Sequence, residues 1–153
     1  MIDLREYITP NTPMIQKIMM EYNLQTVEDI FLFFRDQIIS IPDEQDFWQR
    51  VDETILRGAG DCEDKSVAML NAILSLNPNS NAVIYVFYIP ERNENHAIIL
   101  DGDTIYDPTF MVDGRGLGTG ATVPGIDPFA NPVCLWDNQQ LIVYSQNLYE
   151  NLL

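Results

Sequence analysis

Helix-period hydrophobicity in the first half of the chain and strand-period hydrophobicity in the second predict an α+β fold. Three stretches carry that prediction. IFLFFRDQII, 30 to 39, spaces its apolar residues as a helix does. AVIYVFYI, 82 to 89, is β-branched and aromatic. HAIILDGDTIYD, 96 to 107, places two short apolar runs on either side of Asp101-Gly102.

Taken in order, Thr12-Pro13 reads as an N-cap and first helical position leading into MIQKIMMEY. Thr26 with Asp29 resembles a capping box, and behind it Ile30, Phe33, Phe34 and Ile38 form a core-facing stripe that Pro42 ends. Val51 to Arg57 predicts a short helix with Gly58 as its C-cap. A longer helix begins near Cys62. Val67, Leu70, Ile73 and Leu74 give it one apolar face, and Asn77-Pro78 stops it. Strands are expected over 82 to 89, on both sides of Asp101-Gly102, and over LIVY, 141 to 144. Residues 111 to 132, rich in Gly and Pro, read as a long loop. The organisation expected is one domain over 1–153: a helical part, 1–40, a core, 41–109, and a loop with final strands, 110–153.

Charge narrows the function classes. The 153 residues carry 23 Asp and Glu against 8 Lys and Arg, a formal net charge of −15. A nucleic-acid backbone or an anionic membrane surface would be repelled. No apolar run is long enough to span a bilayer, and MIDLREYITP shows no secretory pattern. The location expected is cytoplasmic or virion-associated, with both cysteines, Cys62 and Cys134, reduced. Cys134 has no nearby base and reads as packed and inert.

The hairpin gives a spatial expectation. If Asp101 and Gly102 are the two turn residues, Ile99 faces Thr104, Ala97 faces Tyr106, and His96 faces Asp107. The chain's single histidine would then meet a carboxylate able to orient it and stabilise its charged form. The plainer alternative is an incidental surface ion pair.

GAGDCEDKS, 58 to 66, supplies a candidate nucleophile. Free N–H groups and the macrodipole at a helix start favour a thiolate, and the Cys62 backbone N–H can donate to an oxyanion. The flanking carboxylates Asp61, Glu63 and Asp64 oppose the thiolate. Cys62, His96 and Asp107 compose a nucleophile, a base and an orienting acid. GRGLGTG, 114 to 120, lacks the Lys-Ser or Lys-Thr of a P-loop and reads as a surface loop or a lid.

The stretch IPDEQDFWQRVDETILRGAGDCEDKSVAMLNAIL, together with NHAIILDGDTIYDPT, resembles the transglutaminase-like superfamily, nearest to its bacterial cysteine proteinases. The resemblance covers residues 41 to 109. It implies a papain-like arrangement, with the cysteine helix packed on an antiparallel sheet that bears the His and the Asp. It also implies Cys62 as nucleophile, His96 as base and Asp107 as orienting acid. Trp48 and Gln49 match a segment of the active-site wall, where an oxyanion role is weighed against simple packing. Asp61, Glu63 and Asp64 match acids that take part in calcium binding in exported relatives, although no cofactor is required. The activity implied is cleavage or transfer at a peptide or amide bond of a protein or peptide substrate. The alternative is a non-catalytic subunit of a larger assembly, phage particles included, on the same fold.

Overall fold

The computed structural model describes residues 2–41, 48–109 and 125–153. After a 3₁₀ turn at Leu4–Tyr7 come helices α1 (Pro13–Glu21) and α2 (Val27–Asp36) and strand β1 (Ile39–Ser40). Next are α3 (Val51–Arg57), β2 (Ala59–Gly60) and the long helix α4 (Cys62–Leu76). Strands β3 (Val83–Ile89), β4 (Glu94–Asp101), β5 (Thr104–Tyr106), β6 (Pro132–Trp136) and β7 (Leu141–Val143) follow, and α5 (Gln146–Leu152) closes the chain.

Local sequence accounts for the helix ends. Thr12 caps α1 with Pro13 in its first turn. Thr26 and Asp29 form the capping box of α2. Gly58 ends α3 at φ +69°, a left-handed conformation that suits glycine. Pro42 and the segment 114 to 120 lie outside the described residues.

The five-stranded sheet is antiparallel, in the order β5-β4-β3-β6-β7. Its two faces are covered by different parts of the chain. Ile84, Val86, Ala97, Ile99, Cys134 and Trp136 belong to the main core with α4 and the N-terminal helices. Tyr85, Phe87, Ile89 and Ile98 form a second cluster on the other face, with Ile126 and Leu135 against it. Tyr85 also donates its hydroxyl to the Pro128 carbonyl at 2.7 Å.

The structure departs from the sequence-based expectations at four places. Helix α4 does not have one apolar face: every residue from Asp64 to Leu74 is buried, because α1, α2 and α3 pack against the sides that the sheet leaves open. Its buried polar residues are therefore hydrogen-bonded. Asn71 donates to the Tyr7 carbonyl at 3.0 Å and accepts from the Thr9 N–H, stapling the N-terminal segment onto the helix. The expected loop up to 132 gives way to β6, an inner strand; Pro132 is its first residue, where proline is tolerated. Residues 146–152 form a helix where only strands were expected. Finally, the β4–β5 turn sits one residue later than predicted, which bears on the site below.

Among the described residues no helix is long and apolar enough to cross a membrane.

Candidate active site

Cys62 is the first residue of α4. Asp61 caps the helix by accepting from the Asp64 N–H at 3.0 Å, and Asp64 returns the bond by accepting from the Asp61 N–H at 3.1 Å. The other oxygen of Asp64 accepts from the Gln49 N–H at 2.9 Å. This carboxylate thus ties the segment before α3 to the start of α4. Gly60 makes the close approach feasible: a Cβ there would stand 2.7 Å from the Asp64 Cβ.

The register of the hairpin corrects the expected pairing of His96 with Asp107. The turn residues are Gly102 and Asp103, and the ladder pairs Asp101 with Thr104, Leu100 with Ile105, and Ile99 with Tyr106. Gly102 has φ +60° while Asp103 does not enter the left-handed region. A two-residue turn with glycine first is the type II′ arrangement, which places Gly102 at the first central position and not the second. Moving the turn by one residue shifts each partner by two. Two is the side-chain period of a strand, so His96 and Asp107 still share a face, now as diagonal neighbours. The side chains meet: His96 Nε2 lies 2.7 Å from Asp107 Oδ2.

Asp107 is fully buried, and its other oxygen accepts from the Thr109 N–H at 3.1 Å and the Thr109 hydroxyl at 2.8 Å. Phe87 contacts the imidazole edge-on, with ring centroids 5.5 Å apart. With Nε2 held by Asp107, Nδ1 is the ring nitrogen left to exchange protons.

Strand β5 ends at Tyr106, so among the described residues the outer edge of β4 beyond Ile99 has no strand partner. The first turn of α4 fills that gap. The Ser66 hydroxyl donates to the Ala97 carbonyl at 3.3 Å, and the Ala97 backbone amide lies near enough to the Cys62 sulfur to ease its pKa downward. Ala97 follows His96 directly, so the Ser66 tie joins α4 to the strand position next to the histidine. Ala97 faces α4 while His96 shares the other face with Ile98 and Phe87. Cys62 packs with the core on the Ala97 side of β4, whereas His96 lies on the Phe87 side, and among the described residues the two are not hydrogen-bonded to each other.

The electrostatics of the thiol are unfavourable. Burial pushes the Cys62 pKa well above the ordinary thiol value, and the charges of Glu63 and Asp61 push it further, with a smaller push from Asp107. The Ala97 N–H pulls the other way. The Asp64 carboxylate is turned toward backbone N–H groups. Cys134 is buried within the sheet, and burial takes its thiol to about 12.

The structure gives Trp48 and Gln49 places in the packing. Trp48 is buried, edge-on to Trp136 at 5.8 Å and tilted against Tyr7 at 5.9 Å. Both amide hydrogens of Gln49 are engaged, one with Thr54 Oγ1 at 3.2 Å and one with the Ala59 carbonyl at 3.1 Å. Arg57 donates to its Oε1 at 3.0 Å. The Gln49 amide has no hydrogen left for an oxyanion.

Asp61, Glu63 and Asp64 stand at the start of α4. Asp61 and Asp64 direct oxygens to each other's N–H groups, and among the described residues no three His, Cys, Asp or Glu side chains are arranged to hold a metal ion.

One buried cation was not anticipated. Lys65, fully buried on α4, donates to the Ile38 carbonyl at 2.7 Å and to the Ser40 hydroxyl at 3.0 Å, joining α4 to β1. Burial lowers its pKa to about 8, against the opposing pull of Asp107 and Asp36. A lysine in an acidic run reads as solvated in sequence; only the packing of β1 over it reveals its burial.

A cysteine at the start of a central helix, beside an antiparallel sheet that carries a His-Asp pair, is the arrangement of the transglutaminase-like cysteine proteinases, and this chain has that fold. LapG of Legionella pneumophila, a transglutaminase-like cysteine protease, matches with a TM-score of 0.61 at 19% identity, over 86% of this chain and 76% of LapG. Calcium-bound LapG matches with a TM-score of 0.59 at 17% identity, over 91% of this chain and 95% of that one. EGTA-treated LapG gives a TM-score of 0.60 at 18% identity, over 82% and 69%. No family model and no curated protein matches the chain by sequence. At such identities the likeness defines the fold, and the chemistry has to be argued from the residues.

Proposed function

We propose that this protein is a cysteine peptidase or amidase acting on a protein or peptide substrate, with Cys62 as nucleophile, His96 as base and Asp107 as orienting acid. The observation that carries this reading is the 2.7 Å contact of His96 Nε2 with the buried Asp107, with Ala97, the residue after His96, tied to the Cys62 helix through Ser66.

The raised thiol pKa makes general-base catalysis the fitting mechanism. The resting thiol is protonated. As Sγ attacks the substrate carbonyl, its proton passes to His96 Nδ1, and Asp107 stabilises the imidazolium. The backbone N–H of Cys62, in the first turn of α4, faces no partner in the helix ladder and can donate to the oxyanion. Collapse of the tetrahedral adduct breaks the C–N bond, and the His96 proton leaves with the amine. Water then attacks the thioester, gives its proton to His96, and releases the acid and the free thiol. An amine in place of water makes the same site a transamidase. The neighbouring folds are those of cysteine proteases, which does not favour the non-catalytic, virion-subunit alternative.

Alkylation by iodoacetamide, read as adduct at Cys62 by peptide mass, tests the base. In wild type alkylation near neutral pH is expected to be faster than in His96→Ala, because the imidazole takes the thiol proton as the sulfur attacks. His96→Ala removes that partner and leaves burial and the acids, so the profile is expected to move to higher pH. Identical profiles would exclude His96 as the base.

Calcium enters this reading only as a test, because LapG has a calcium-bound form. With Asp61 and Asp64 engaged in the helix cap, exchange of EDTA for millimolar Ca²⁺ is expected to shift Tm by less than ~2 °C. A larger rise that Asp61→Asn abolishes would mean that the cap opens to bind the ion.

A further inference from the structure

We propose that Ser66 is a positioning residue for the reaction, holding strand β4 at the distance from α4 that brings His96 to Cys62. The inference rests on the reading above.

Within a strand, the N–H and C=O of one residue point toward the same side. Ala97 is paired with Val86 of β3, yet its carbonyl is taken by Ser66 of α4. Its N–H is turned to the same side, near Cys62, which lies one helical turn before Ser66 on the same face of the helix. Had β5 continued past Tyr106, residue 108 would have taken both groups. The helix stands in for the missing strand residue.

The Ser66 bond is the hydrogen bond between α4 and residue 97, and it does not involve the sulfur, so it can persist while the sulfur bonds a carbonyl carbon. Ser66 is fully buried, so water cannot replace it without opening the packing. Helix and strand otherwise meet through apolar contacts such as Ala97 and Ile99, which resist separation but not sliding. A directional bond to the residue following His96 supplies the resistance to sliding. Ser66 touches no reacting atom, and its effect passes through the position of His96.

The test compares Ser66→Ala with wild type and His96→Ala in the full chain. The readouts are the pH profile of Cys62 alkylation and Tm. Ser66→Ala is expected to lower the alkylation rate near pH 6.5 by ~10- to 100-fold, with the profile displaced toward that of His96→Ala. Ser66→Thr and Ser66→Val form a second comparison, isosteric and differing only in the hydroxyl, which serves if Ser66→Ala does not fold. Thr is expected to retain the wild-type profile and Val to lose it. A lowered Tm with an unchanged profile, or equal profiles for Thr and Val, would overturn the positioning role and leave His96 as base. A wild-type profile insensitive to His96→Ala would overturn the base assignment, and the role of Ser66 with it.

Discussion

Asp64 binds two backbone N–H groups with one carboxylate and lies beside a second carboxylate, Asp61. Burial, with the Asp61 charge, raises its pKa to about 6. The direction fixes a pH dependence. Below the ordinary carboxylate value the group is protonated in both folded and unfolded chains, and its contribution to stability is fully present. As pH climbs toward 6 the unfolded chain releases the proton first, and the contribution is lost as pH passes through the folded value. The stability of wild type minus that of Asp64→Asn, from urea unfolding, is therefore expected to fall between pH 4 and pH 7. A difference constant with pH would contradict this. At the residue scale the sequence was informative wherever chemistry is carried by residue type. Cys62, His96 and Asp107 are visible because a lone histidine and a cysteine at a helix start are few enough to consider together. The roles of Gln49, Lys65 and Ser66 are not visible, since each depends on what the chain brings against it from a distant segment.

Helix α4 is held on two sides by different chemistry. Ser66 binds it to β4, and Lys65 binds it to β1. The lowered Lys65 pKa, about 8, gives the second tie its own pH signature. Below that value the lysine is charged in both states, and the cost of burying it is fully present. Between about 8 and the ordinary lysine value of ~10.4, the folded chain releases a proton that the unfolded chain keeps, so stability from this group rises with pH. Wild type minus Lys65→Met, by urea unfolding, is expected to increase from pH 7.5 to pH 9.5. Using the difference cancels the buried tyrosines, whose raised values act in the opposite direction at higher pH. The elements legible in the sequence are those with local causes: the caps at Thr12, Thr26 and Gly58, the stripe on α2, and strand β3. The short parallel pair β1–β2, strand β6 and helix α5 have tertiary causes and were not legible. The hairpin lies between the two. Its existence was readable from Asp-Gly, its turn was misplaced by one residue, and the parity of the strand preserved the face.

Across the whole molecule the net charge of −15 acts against compactness, since few of the 8 basic residues are available to offset it. Two of the basic residues, Arg35 and Arg5, pair with sequence neighbours Asp36 and Asp3, which does little for distant acids. Raising NaCl from ~0.02 M to ~0.3 M shortens the screening length from about 20 Å to about 6 Å. Tm is expected to rise by several degrees over that range in scanning calorimetry. A fall would show that specific ion pairs outweigh the general repulsion.

The separation of the site's parts along the chain bears on the order in which they can assemble. His96 and Asp107 are 11 residues apart in one hairpin, while the Ser66–Ala97 tie spans 31. Closing the shorter loop costs less entropy, and hairpins form in ~1–10 μs. A newly made chain can thus join imidazole to carboxylate before the helix has docked. On the proposed reading the sulfur meets its proton acceptor only once α4 has docked, so the site is completed last and the His96–Asp107 pair is waiting when the helix arrives.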